Sequence, residues 1–425
     1  MIMTDIIQKV LGDIPIPRMV RIKQSFDHTI LEDPSAVTKQ QLLKAGTLDT
    51  VKPGQQVAIA VGSRGIANIA EITKVVVDAV KLAGAFPFIV PCMGSHGGAT
   101  AEGQADVLQH LGIDEHTMGA PIRSSMEVVK LDELANGLPI YCDTLASEAD
   151  AIIVINRVKP HTAFRGRIES GMLKMISIGL GKQKGAEACH QLGFKYMAEN
   201  VPAMARIMIE RLPIVFGIAI VENAYDQTYL IEAIPANELE EREPALLELA
   251  KSRMPKLFFE QLDVLVIDYI GKNISGDGMD PNITGRYPTP YAHGGPDVTK
   301  MVVLGLTPES NGNANGVGTA DFTTRRLTNM ADWTATYMNG LTSTVCAPTK
   351  TATTLETDKL AIKAAVKTCN ILDYTQCRMV RIRDTLHLGE IEISANLVEE
   401  ARQYSEITIL SDPYELKFDD NDQLI

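Results

Sequence analysis

Three residues able to carry protons, nucleophilic chemistry or a metal lie downstream of one apolar run, residues 151–155 (Ala-Ile-Ile-Val-Ile). His161 stands in Lys159-Pro-His161, Lys174 in Met172-Leu-Lys-Met-Ile-Ser-Ile, and His190 directly after Cys189. Imidazole is the side chain whose ordinary pKa lies near neutrality, so His161 is a candidate acid or base. The proline before it restricts the backbone, as positioning demands. A lysine among apolar neighbours is rare unless it is paired or chemically used; a snorkelling side chain is the alternative. His190 is an imidazole able to ligate a metal or to serve as an ordinary structural residue. Cys189 reads as a small packing residue.

A second loop, Gly94-Ser95-His96-Gly97-Gly98, follows another apolar run and precedes a helix opened by Thr100. Glycines let a backbone approach a ligand closely, and a helix N-terminus favours negative charge. One βα unit earlier, Ser63-Arg64-Gly65 places a planar guanidinium in the equivalent loop, suited to a carboxylate or phosphate. Tight turns with an incidental histidine and a solvated arginine would leave the same letters. Histidines from neighbouring strand ends can flank one substrate carbon. That is what stereo-inversion requires, one group removing a proton as another returns it.

The elements that must position these residues follow a regular pattern. Residues 56–61 read as a strand, 68–83 as a helix with Asn68 and Glu71 as a capping pair, 86–92 as a strand and 100–111 as a helix. Strand–loop–helix repeated in this way is the signature of a parallel sheet. Residues 1–50 read as a polar, proline-punctuated entry with one helix after Ser35. Further on, 121–144 alternates like β-structure and 202–212 is helical. Residues 214–221 and 229–234 form paired strands, and 239–253 is a surface helix. Strand 262–270 precedes a long polar loop, 272–296, of a length that is more often functional than not. A strand at 301–306, a helix over 321–339, a helix over 357–368 and strands near 378–383 and 389–394 complete the chain. The expected fold is α/β: two α/β domains with mainly parallel sheets, residues 1–260 and 261–425, and an active-site cleft between them. Reactive residues gather past strand C-termini in such sheets.

With 425 residues the chain is long for one domain, which supports two. A net charge of −13 argues against nucleic acid or an anionic membrane as partner, and an anionic small molecule would need locally placed cations. No run reaches the ~18 apolar residues of a membrane helix. The six cysteines form no Cys-x-x-Cys pair and read as reduced thiols, pointing to the cytoplasm.

Taken together, Gly-Ser-His96, Lys-Pro-His161, Lys174 and His190 sixteen residues beyond it resemble the nickel-pincer lactate racemase family. The resemblance runs from about residue 57 to 190. It implies a racemase or epimerase of a 2-hydroxy acid, with His96 and His161 as acid and base. It implies a nickel pyridinium-3,5-bisthiocarboxylic acid mononucleotide, the nickel-pincer nucleotide, covalently attached at Lys174, with nickel on His190. Ser95, Gly97, Gly98 and Trp333 would contact that cofactor, and Arg64 would hold the substrate carboxylate. Lys272 and Arg286 would contact substrate where the family has a Gln-x-x-Lys element. Cofactor-biosynthesis proteins would be partners. The spacer from His161 to Lys174 is three residues longer than in the family, and Val-Gly-Ser precedes Arg64 where the family tends to place an aspartate. An ordinary divalent-metal enzyme with His96, His161 and His190 as ligands, or a non-catalytic organic-acid binding protein, would use the same residues differently.

Overall fold

In the computed structural model, which describes residues 2–63 and 65–425, the chain divides into two compact units, residues 27–254 and residues 1–26 with 255–425. The sequence reading put the divide near residue 260 and the N-terminal residues with the first domain. Instead the entry segment forms a helix, Ile2–Leu11, and strand β1 (Met19–Gln24), which pairs within the sheet of the later residues. Its alternating buried positions Val20 and Ile22 explain the docking.

The 27–254 unit holds β2 (Gln56–Val61), β3 (Phe86–Pro91), the hairpin β4 (Val128–Glu133) and β5 (Pro139–Asp143), then β6 (Ala151–Arg157), β7 (Ile214–Glu222) and β8 (Thr228–Pro235). Its main sheet runs β3-β2-β6-β7-β8. The first four strands are parallel, and β8 returns antiparallel to β7. Both faces are covered, so the central strands read as unbroken apolar runs rather than alternating ones. Val57, Ile59 and Val61 of β2, Ile153 and Ile155 of β6, and Ile72 and Val76 of the Ile69–Leu82 helix share one core. Each such aliphatic side chain contributes roughly 1.5–3 kcal/mol on burial.

That helix begins differently from the expectation. Asn68 adopts a left-handed conformation and makes no side-chain cap. Its amide instead donates to Glu71 Oε2 and its carbonyl accepts from Thr228. Thr100 does cap the Ala101–His110 helix, accepting from the Gly103 N–H at 3.0 Å.

The other unit builds one eight-stranded sheet. Its further strands are β9 (Gln261–Ile270), β10 (Asp297–Leu306), β11 (Phe322–Thr324), β12 (Thr353–Leu355), β13 (Met379–Ile382), β14 (Glu390–Ser394) and β15 (Ile407–Ile409). The order is β12-β11-β10-β9-β13-β14-β1-β15, parallel through β13 and antiparallel beyond it. The single helix expected over 321–339 is a short strand followed by helices Arg325–Met330 and Trp333–Ser343. Thr324 and Asp332 each restart the helix by capping it. Both units are thus α/β with mainly parallel sheets. No helix among the described residues is long and apolar enough to cross a membrane.

Candidate active site

Strands β3, β2 and β6 are neighbours pointing the same way, so the loops after them open on one sheet edge. Two strand spacings put the ends of β3 and β6 about 10 Å apart. The loops carrying Ser63, His96 and His161 therefore rise from a common rim, as their positions after apolar runs led one to expect. Arg64 lies outside the described residues.

The His96 loop is tightly made. Ser63 Oγ is hydrogen-bonded to His96 Nδ1, joining the β2 and β3 loops. Gly97 has a positive φ, and a Cβ there would meet the Gly103 carbonyl at 2.6 Å, so the loop turns back onto the following helix only as glycine. Gly98 also has a positive φ, but an added Cβ would meet nothing, leaving its outer side open. Ser95 is half-buried in the same turn. The Gln104 amide donates to the carbonyls of Gly94 and His96, at 2.9 and 3.3 Å.

The His161 loop is held by a buried carboxylate the sequence reading did not single out. Glu169 Oε2 accepts from the His161 backbone N–H at 2.7 Å and from Arg165 at 3.2 Å, while Oε1 pairs with Lys251 at 3.2 Å. Arg165 also donates to the His161 carbonyl at 2.6 Å. Within the loop, the Ala163 N–H donates to His161 Nδ1 at 3.0 Å. An Nδ1 that accepts must keep its lone pair, so the neutral ring carries its proton on Nε2. Taking up a second proton means giving up the Ala163 bond.

Lys174 ends a single helical turn, Met172–Lys174, which runs into a π-helical segment, Met175–Gly179, and then the Lys182–Gln191 helix bearing His190. Segments of this kind occur frequently at functional sites. The sequence reading assigned no element here, because the glycines and lysines obscure any helical periodicity. His161 and His190 share a ring, Phe194, with centroids 6.1 and 5.4 Å away, and Phe164 lies 4.4 Å from His161. Burial, reinforced by the charge of Lys174, pushes His190 down to about 4. Burial also holds His161 well below its ordinary range, with the charges of Lys174, His190, Lys159 and Arg165 acting the same way. His161 and His190 are thus joined by packing on Phe194, and Lys174 reaches both through its charge. Cys189 is the packing residue expected: its sulfur lies 3.5 Å from Met197 Sδ, and burial pushes its thiol up to about 12.

Glu243, from the Leu239–Arg253 helix, holds the start of the Lys174 turn. Its Oε2 accepts from the Leu173 N–H at 3.0 Å. A Cβ on Gly171 would lie 2.2 Å from Oε1, so the carboxylate reaches this backbone only over a glycine. Burial raises the Glu243 carboxyl from 4.5 to about 7. Folded protein then holds more protons than unfolded between these two values, so stability present below 4.5 is lost as pH rises through about 7. A rise of that size corresponds to on the order of 3 kcal/mol. Glu243→Gln keeps an acceptor for Leu173 without the buried charge. Thermal melts should find it more stable than the parent at pH 8.5 and no more stable at pH 5.

Residues 28–200 match the model of the lactate racemase N-terminal domain. The match spans less than half of the chain, and over that segment the chain is similar to the lactate racemase N-terminal domain. Among solved structures, the chain is similar to the lactate racemase apoprotein from Thermoanaerobacterium thermosaccharolyticum, at 13% identity and TM-score 0.48 over 86% of this chain and 88% of that one. A protein from Thermotoga maritima matches at 14% identity and TM-score 0.49, over 64% and 69% of the two chains. No curated protein matches the sequence.

The matched segment contains Arg64, Ser95, His96, Gly97, Gly98, His161, Lys174 and His190; Lys272, Arg286 and Trp333 lie in the other unit. There Lys272, just past β9, donates from Nζ to Gly276 O and Asn339 Oδ1, both at 2.6 Å. The Asn339 bond ties its loop to the Trp333–Ser343 helix, which Trp333 opens, with its ring 5.8 Å from Tyr337. Arg286 is elsewhere. Its guanidinium binds the carbonyls of Val298 and Thr299, and Asp321 Oδ2, at 2.8–3.1 Å. Val298 and Thr299 begin β10, whereas Ile270, next to the Lys272 loop, pairs with Leu306 at its end. That separation is about 26 Å. The expected pairing of Lys272 with Arg286 on one substrate is therefore not formed.

The donor set bears on the cofactor. Among the described residues, no three His, Cys, Asp or Glu side chains come together to hold a metal. The three-histidine site of the ordinary-metal alternative is accordingly not assembled. His190 is one imidazole, kept neutral as a ligand must be. It suits a metal whose other ligands come from a non-protein group anchored nearby, and Lys174 is the adjacent amine.

Proposed function

We propose that the protein is a racemase or epimerase of a 2-hydroxy acid that uses a nickel-pincer nucleotide tethered at Lys174, with His190 on the nickel and His96 and His161 handling the hydroxyl proton. One observation carries the reading: a segment matched by the lactate racemase N-terminal domain brings His96, His161, Lys174 and His190 to one sheet edge. When bound, such a group supplies an acceptor and returner of hydride. The chain's own residues do the rest. His96, held through Nδ1 by Ser63, presents Nε2 to the substrate oxygen. His161 presents Nε2–H in the form bonded to Ala163, and acts as base or acid when that bond is released. Lys159, Arg165 and Lys174 make the loop locally cationic, which favours an anionic substrate against a chain of net charge −13. Arg64 is assigned the carboxylate. Gly98, open on its outer side, and Ser95 border the cofactor.

On the second sheet, Lys272 lies just past β9, the strand-end position typical of ligand contacts in open sheets, its Asn339 bond joins it to the helix that Trp333 opens, and Arg286 has a structural part. Loading would require cofactor-assembling proteins, in the cytoplasm. The test is inversion of a 2-hydroxy acid carrying deuterium at C2, in ordinary water, by protein produced with the cofactor pathway. The label should stay at C2 in both enantiomers, because the C–H pair travels as hydride. Inversion with solvent hydrogen entering C2 would replace this mechanism by proton abstraction. A loaded protein that binds hydroxy acids without inverting any of them would make it a binding protein.

A further inference from the structure

Lys182 is a fully buried lysine outside the proposed chemistry. It opens the helix that carries His190, and its backbone is left-handed, at φ +53°. A non-glycine residue there is uncommon and is kept only when its surroundings demand it. Its ammonium has three protons and three oxygen neighbours: Pro91 O at 2.5 Å, Gln104 Oε1 at 3.0 Å and Asp143 Oδ2 at 3.2 Å. These come from the end of β3, the helix after the His96 loop and the end of β5.

Gln104 relays the contact. With its oxygen on Lys182, its amide is turned to the carbonyls of Gly94 and His96. The same junction is sewn by backbone and sulfur: the Gly94 N–H donates to Gly179 O at 3.2 Å, Asp143 N–H to Leu180 O at 2.6 Å, and Cys92 Sγ–H to Met175 O at 3.3 Å. Thus the His96 loop is fastened to the segment between Lys174 and His190. A buried ion pair is weak evidence for stability, since apolar residues of like volume often serve as well. What apolar residues cannot reproduce is the direction in which Gln104 points.

We infer that Lys182, through Gln104, is a positioning residue that sets the His96 loop against the Lys174–His190 segment. This rests on the proposed function only for its consequence in catalysis; the positioning itself is readable without turnover.

Two variants test it. Lys182→Met with Asp143→Leu removes the ion pair without leaving a lone buried charge. Gln104→Glu keeps shape and the contact to Lys182 but turns an acceptor toward the Gly94 and His96 carbonyls. In folded protein of unchanged adduct mass at Lys174, each should raise carbethoxylation of His96 by diethyl pyrocarbonate at least tenfold. The rate at His161 should stay as it was. Amide exchange should quicken across 94–98. Racemisation should fall on the order of 10²-fold, mainly in kcat, as a misplacement near 1 Å predicts. Unchanged His96 modification and amide exchange in the folded variants would overturn the inference. If the parent protein carries no adduct and inverts no hydroxy acid, the functional reading fails, while the His96 reactivity still decides the positioning.

Discussion

Alanine at His161 is expected to lower racemisation by ~10²–10⁴-fold in both directions, and alanine at His96 to do the same. Each turnover requires a proton to leave the hydroxyl and to return to the oxo acid, so neither direction escapes. The pH dependence due to His161 has a defined direction. His161 is held below its ordinary range, first by burial and then by neighbouring charges, that of Lys174 foremost. A depressed pKa keeps the ring neutral as pH falls through 6.5, where an exposed histidine would already be half protonated. The limb of the rate profile due to His161 should therefore lie on the acid side of that value. Folding obeys the same sign: unfolded protein binds the proton first, so the stability from a neutral His161 is lost as pH drops below about 6.5. Initial rates from each pure enantiomer, between pH 4.5 and 9, would measure this. Few-fold losses in either alanine variant, on a substrate known to turn over, would end the two-histidine mechanism.

Much of the site was legible because α/β sheets tie chemistry to pattern. The runs read at 56–61, 86–92 and 151–155 became β2, β3 and β6, and glycine-bracketed His96 and proline-led His161 fell on the loops after two of them. Parallel pairing then brought them to one edge. What escaped was the support beneath. Glu169, Glu243, Asp143 and Lys182 are charged letters in ordinary surroundings, and nothing in their spacing reveals that all four are buried. Gly171 held a signal in principle, since a glycine before an apolar turn can mark a close approach. Its partner, Glu243, is 72 positions away, and sequence alone cannot pair them.

The domain pattern misled for a related reason. β1 contains only six residues, Met-Val-Arg-Ile-Lys-Gln, and alternates plainly, but alternation does not name a partner strand. It pairs with β14 and β15, from the far end of the chain. Arg286 misled through its letter: a guanidinium in a long polar loop suits a carboxylate, yet backbone carbonyls at the start of β10 take it. The split at 321–339 turns on caps at Thr324 and Asp332 that interrupt an otherwise helical run.

Replacing Lys174 is expected to have the other large effect, and two substitutions separate its two roles. Lys174→Met removes both amine and charge, while Lys174→Arg keeps the charge but offers a guanidinium that is never a free amine at working pH. Neither should carry covalent mass after co-production with the cofactor pathway, and neither should racemise a hydroxy acid. They should part company at His161. Lys174 is the first-ranked charge holding that ring neutral, after burial. Methionine should therefore let His161 rise toward its ordinary value, and arginine should leave it low. Attachment of the parent lysine as a neutral thioamide should act as methionine does, so loading would itself raise the basicity of His161 and ready it to leave the Ala163 bond. Histidine resonances titrated by NMR in both variants, with intact masses of the same samples, measure the two roles side by side. An adduct on Lys174→Arg or Lys174→Met would place the attachment at another residue. Identical His161 titrations in the two would remove Lys174 from the electrostatics of the site.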